Sequence, residues 1–182
     1  MDIPLDVDVH CSDGVGGHCA AVVLNPVTKV ISHVVVKTKG HAHEEYLVPL
    51  DLITDTSVKH IRLSCSLGEL GQLAPFIKSV RVEEAGLNMM NAQALAGAES
   101  QSGVGYEDFG FGGAGKVETV EEEAIPETEL AVRTDTAVHA TDGVVGQVDR
   151  FFIRAGSGEI MQLVLLEKHL LSKKNFVIAV DQ

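Results

Sequence analysis

The residues best able to do chemistry gather near the start of the chain. His10-Cys11 and His18-Cys19 flank Asp13-Gly14, and His41-x-His43 follows downstream. Imidazole and thiolate are ligands that zinc favours, and residues on either side of a turn can converge on one ion. His10, His18, Cys19, His41 and His43 are therefore weak metal candidates. Adjacent strand residues point to opposite faces, however, so His10 and Cys11 cannot share an ion. The cysteines, Cys11, Cys19 and Cys65, are odd in number and make no CxxC pair, so no disulfide framework or zinc ribbon is written here. The expectation is neither metal nor cofactor.

His10, Ser12 and Asp13 include the residue types of a catalytic triad, but consecutive strand and turn residues cannot form its relay. No GxSxG elbow, HExxH motif or Walker loop occurs. Gly110-Phe111-Gly112-Gly113-Ala114-Gly115 superficially looks like a nucleotide fingerprint. It follows no clear strand and precedes an acidic run that would repel phosphate. The expectation is a protein that is not an enzyme.

The elements that must position these residues come in two copies. A shift of 129 residues lays His10 onto His139 and runs without a gap to Lys37 on Leu166. Identities fall at His10/His139, Asp13/Asp142, Gly14/Gly143, Val15/Val144, Gly17/Gly146, Ile31/Ile160 and Val35/Val164. One extra loop residue then brings Tyr46-Leu47-Val48 onto Phe176-Val177-Ile178. Asp13-Gly14 and Asp142-Gly143 read as hairpin turns, because Gly accepts positive φ and Asp can bond nearby backbone. Asn25-Pro26 and Gly156-Ser157-Gly158 mark a second turn at the matching place. The β-branched and bulky blocks between turns are too short for helices. Residues 58–63 alternate as one more strand of the first unit. Ser66 with Glu69 is a capping-box pattern opening a short helix that breaks near Pro75.

Charge divides the chain the same way. The formal net charge is −12. Residues 83–129 hold 11 acids against the single base Lys116, so −10 of that total lies there. Eight glycines between 85 and 117 complete a linker composition. Acidic balance and an aromatic share of 4% argue against a nucleic-acid surface. The start, Met1-Asp2-Ile3-Pro4, lacks the basic and apolar regions of a signal peptide. No apolar run approaches the roughly 20 residues of a membrane helix. Expected are a cytoplasmic address, no membrane span and no nucleic-acid partner.

Asp13-Gly14-x-x-Gly17, Asn25-Pro26-x-Thr28-x-x-Ile31 and Leu47-Val48-Pro49-Leu50-Asp51-Leu52-Ile53 resemble a PRC-barrel domain. The second copy is similar through Ile125-Pro126, Glu129-Leu130-Ala131-Val132-Arg133, Thr141-Asp142-Gly143-x-x-Gly146, Ile160 and Val177-Ile178-Ala179-Val180-Asp181-Gln182. The resemblance implies small β-barrels of about six strands whose role is docking and assembly rather than catalysis. The expected fold is all-β: the resemblance implies one PRC-like β-barrel over 1–65 and a second over 117–182, while the capping box and the composition give a short helical extension over 66–84 and a flexible Gly-rich acidic linker over 85–116. Asp13, Gly14, Gly17, Asp142, Gly143 and Gly146 are expected to shape the turns rather than do chemistry. The second copy offers no counterpart of 58–63, so residues 116–122 or another chain are expected to complete it. A protein partner of unknown identity follows, with a homo-oligomer built by edge pairing as the alternative.

Overall fold

Long apolar strands need cover on every side, and here that cover comes from the opposite half of the chain. The computed structural model describes residues 1–39, 44–83, 117–141, 143–169 and 172–180. Its strands are β1 (Asp2–Pro4), β2 (Asp8–Cys11), β3 (Gly14–Asn25), β4 (Val30–Thr38) and β5 (Glu45–Pro49). A 3-10 turn (Leu50–Leu52) leads to β6 (Ile53–Ser57) and β7 (His60–Leu63). The helix α1 (Leu67–Leu70) precedes β8 (Ile77–Glu83), β9 (Val117–Glu123), β10 (Leu130–Arg133) and β11 (Ala137–Ala140). The last strands are β12 (Gly143–Ile153), β13 (Ile160–His169) and β14 (Ser172–Ala179). The described residues are all-β apart from short helical turns.

Residues 1–78 and 123–182 form one compact unit, and 79–122 a second. In the first unit one sheet runs β5-β4-β3-β2-β7-β6, with β10 also on β3. The other runs β1-β12-β13-β14, with β11 also on β12. Strands β8 and β9 pair in a separate two-stranded sheet. Neither larger sheet closes into a barrel among the described residues. Residues 117–122 do not complete the second copy as expected: β9 lies on β8, and the added strand of the second sheet is β1. The expected helical extension also ends early. The capping box is present, with Ser66 Oγ accepting from Glu69 N and Glu69 returning to Ser66 N, but α1 stops at Leu70 and 77–83 is strand. The linker positions 85–116 lie outside the described residues.

The two sheets exchange their first strands reciprocally. Strand β1 pairs with β12 as Asp2↔Phe152, Ile3↔Phe151 and Pro4↔Arg150. Strand β10 pairs with β3 as Ala131↔Val23, Val132↔Val22 and Arg133↔Ala21. At the 129-residue offset these are the same three pairs with the halves interchanged. At the centre, Val30 bridges Glu159, its own counterpart, while Ile31 N donates to Gly158 O (2.9 Å) and Ile160 N to Lys29 O (2.8 Å). The crossing is made by residues 5–7. Leu5 N donates to Asp149 O in one sheet and Asp6 N to Cys19 O in the other, with Asp6 at φ 54°.

The exchange explains why 19–24 reads as a continuous apolar run. Val22 packs into a core built from both halves, with Ile3, Val132, Phe151, Ile160 and Leu165. Ala21 and Val23, on the opposite face, pack with Val35 under Phe76. A strand buried on both faces loses the polar alternation of a half-exposed one. Arg133 then fastens β10 from outside: its guanidinium lies 5.4 Å from the Phe76 ring centre and 3.4 Å from Glu45.

Candidate interaction edge

The turn residues of the two halves occupy equivalent positions. In the first hairpin Val9 pairs with Gly17, His10 with Val15 and Cys11 with Gly14, with a bulge between Val9 and His10. In the second, Val138 pairs with Gly146, His139 with Val144 and Ala140 with Gly143, with the bulge at the matching step. Gly17 sits at φ +155°, where a Cβ would fall 2.1 Å from Lys37 O. A Cβ on Gly146 would fall 2.9 Å from Leu166 O, while Gly143, at φ +145°, has open space around it. Asp13 does more than shape its own turn: its Oδ1 accepts from Leu67 N at 2.8 Å, tying the hairpin to α1. Asp142 lies outside the described residues.

The described histidines and cysteines lie apart from one another in several places. Cys19 is buried, and its thiol points at Ala21 O, 3.7 Å away. His18 stands opposite Asp8 and Lys37 in the sheet. His41 and His43 lie outside the described residues. His10 meets His60 edge to face, ring centres 5.8 Å apart, beside a cleft of about 570 Å³ that Cys11, Thr54 and Arg62 also line. Among the described residues no group of three or more His, Cys, Asp or Glu side chains is placed to hold an ion.

His60 was not singled out from sequence, although Asp55, Ser57 and His60 carry three suggestive side chains within one hairpin. Ser57 Oγ lies 2.9 Å from His60 Nδ1, but the same oxygen accepts from Lys59 N and His60 N. Asp55 Oδ2 is 4.0 Å from His60 Nε2, beyond hydrogen-bond range. The hydroxyl closes a turn.

The buried thiols are chemically quiet. Burial pushes Cys19 up to about 12, and burial followed by the neighbouring Cys65 pushes Cys11 up to about 11. Only thiolate is nucleophilic. With an aromatic disulfide reagent near pH 8, Cys11 should react roughly a hundredfold slower in the native protein than in denaturant, and Cys19 more slowly still. The unfolded chain ionises these thiols near 9, where the folded protein keeps them neutral. Stability should therefore hold below about pH 9 and fall as pH rises toward the folded values.

The arrangement most suited to function is an edge that one half covers and the other leaves bare. Strand β5 lies on β4 as Val34↔Val48, Val35↔Leu47 and Val36↔Tyr46. Strand β14 lies on β13 as Leu163↔Ile178, Val164↔Val177 and Leu165↔Phe176, which is the same register. The outer edge of β5 is occupied by residues 74–76. Leu47 N donates to Ala74 O (2.9 Å), Phe76 N donates to Glu45 O (2.7 Å) and Tyr46 bridges Pro75. Leu47 packs against the cluster that holds Phe76, while Val48 is buried in the shared core. At the matching positions on β14, Phe176 is 41% exposed, Val177 59% and Ile178 39%. Among the described residues nothing pairs with that edge. Unpaired strand edges are templates for another strand, and exposed apolar side chains beside one mark an interaction surface.

Sequence reasoning aligned these two strands through Tyr46-Leu47-Val48 and Phe176-Val177-Ile178 but did not foresee the difference in cover. No family model matches this chain, and no curated protein matches it.

Proposed function

We propose that this chain is a non-enzymatic protein-interaction or assembly module made of two tandem PRC-barrel-like units that have traded their first strands. Support for the duplication comes from strand pairs, bulges and turns that coincide at one sequence offset. Support for interaction rests on one observation: among the described residues the outer edge of β14 has no covering segment, where that of β5 is covered. A partner strand added there would receive main-chain hydrogen bonds from the edge and apolar contacts from Phe176, Val177 and Ile178. The acidic stretch between the halves joins the two units and keeps the protein soluble.

A photo-crosslinking residue at Val177 tests the reading in the native cell, with the same residue at Val27, 85% exposed on the turn between β3 and β4, as control. Protein adducts at position 177 and none at 27 are the expected result. Adduct yields no higher at 177 than at 27 would refute the reading.

A further inference from the structure

We propose that the cleft beside β2 and β7 binds a phosphate group, held by His10, His60 and Arg62. The inference is independent of the β14 edge. Strand direction places the donors. Strands β2 and β7 run parallel, with Asp8↔His60, Val9↔Ile61 and His10↔Arg62 in register. Val9, Cys11, Ile61 and Leu63 turn into the shared core, so alternation sets His10, His60 and Arg62 on the other face. The two imidazoles meet there edge to face. Ser12 adds a hydroxyl to the wall, and Thr54 Oγ1 donates to Arg62 O at 3.2 Å, tying β6 to the strand that carries the guanidinium. Among the described residues no carboxylate lines this cleft, whose volume of about 570 Å³ falls in the range of small-molecule sites.

The donors left unused point to an anion. Among the described residues the Arg62 guanidinium and the His10 ring make no hydrogen bond or ion pair. Ser57 Oγ accepts from Lys59 N and His60 N, so its own hydrogen goes to His60 Nδ1, 2.9 Å away. That leaves the ring hydrogen of neutral His60 on Nε2, as a further donor. The carboxylates nearby are mostly engaged: Asp8 by Lys39 at 2.9 Å and Asp13 by Leu67 N at 2.8 Å. Asp55, opposite Arg62 on β6, is the one competitor, 4.0 Å from His60 Nε2. A guanidinium registered against an imidazole repels it once the ring is protonated, and an anion between them removes that repulsion. The guanidinium fork matches phosphate oxygens. Several donors converging on one place favour a dianion over a singly charged carboxylate.

Titration of the isotope-labelled full chain with inorganic phosphate, followed by NMR at fixed pH and ionic strength, tests the site. Shifts should saturate and be largest at residues 10–12, 54 and 60–63. Acetate should bind roughly tenfold more weakly, having one charge to offer. Arg62→Gln and His10→Gln should each weaken phosphate binding about tenfold, since each loses a hydrogen bond to a charged group. Asp55→Asn should tighten it by removing the competing carboxylate. Arg62 and Asp55 are exposed, so their variants should keep the wild-type melting temperature. Phenyl phosphate in place of inorganic phosphate separates the sources: tighter binding assigns the site to a phosphate ester, weaker binding to free phosphate. Absence of saturable shifts, acetate binding as tightly as phosphate, or an Arg62→Gln variant that binds like wild type would each overturn the proposal.

Discussion

Replacing Ile3 by Ala should lower stability by roughly 2–5 kcal/mol, and the damage should appear in the C-terminal half. Ile3 is fully buried although it lies three residues from the N-terminus. It stands opposite Phe151 and packs with Val148, Ile153 and Leu165 of the second half in the shared core. Removing its side chain leaves a cavity between halves more than a hundred residues apart in sequence, with no local contact to absorb it. A double-mutant cycle between Ile3→Ala and Phe151→Ala should give a coupling of roughly 0.5–3 kcal/mol. The counterpart cycle, Val132→Ala with Val22→Ala, should behave alike, since these two residues hold the same pairing in the other sheet. Additive effects in both cycles would contradict the exchange of first strands. Against a total stability of roughly 5–15 kcal/mol, the single substitution is enough to shift a denaturation midpoint plainly.

The second large effect is expected at Gly17. A methyl group there would sit 2.1 Å from the backbone oxygen of Lys37, and the residue holds φ +155°. A carbonyl on a paired strand cannot swing aside as a flexible side chain can, so β3 and β4 would have to separate locally. Overpacking and backbone strain together should cost Gly17→Ala about 4 kcal/mol. Gly146→Ala meets Leu166 O at 2.9 Å and should cost less. Gly143→Ala carries only the dihedral strain, about 1 kcal/mol, since nothing lies within 4 Å. Urea unfolding of the three variants at unchanged m-value would establish the order. Equal losses at Gly17 and Gly143 would show that close strand approach is not what Gly17 provides.

Much of this fold is written locally and was legible. Asp13-Gly14 marks a hairpin, Ser66 and Glu69 build the capping box, and the β-branched blocks form strands. The exchange was not legible for a physical reason. Alternation in a strand tells which face is apolar but not which strand lies beside it. Ile3 in MDIP carries no signal that its neighbour will be Phe151 rather than Val22. His18 and Cys19 read as neighbours around a turn, and in the fold one is a sheet position and the other a fully buried thiol. Exposure of β14 was hidden because Phe176-Val177-Ile178 is as apolar as Tyr46-Leu47-Val48. The difference lies in residues 74–76, which cover one strand and have no counterpart over the other among the described residues.

Residue-resolved amide exchange over a dilution series tests the unequal edges most directly. Leu47 N–H, bonded to Ala74 O, should exchange slowly at every concentration. Val177 N–H, the counterpart of Leu47 N–H on an edge that no described residue covers, should exchange fast, while Ile178 N–H, bonded inward, should be protected. Strong protection of Val177 at the lowest concentration, or exchange as fast at Leu47 as at Val177, would contradict the assignment of β14 as the open edge.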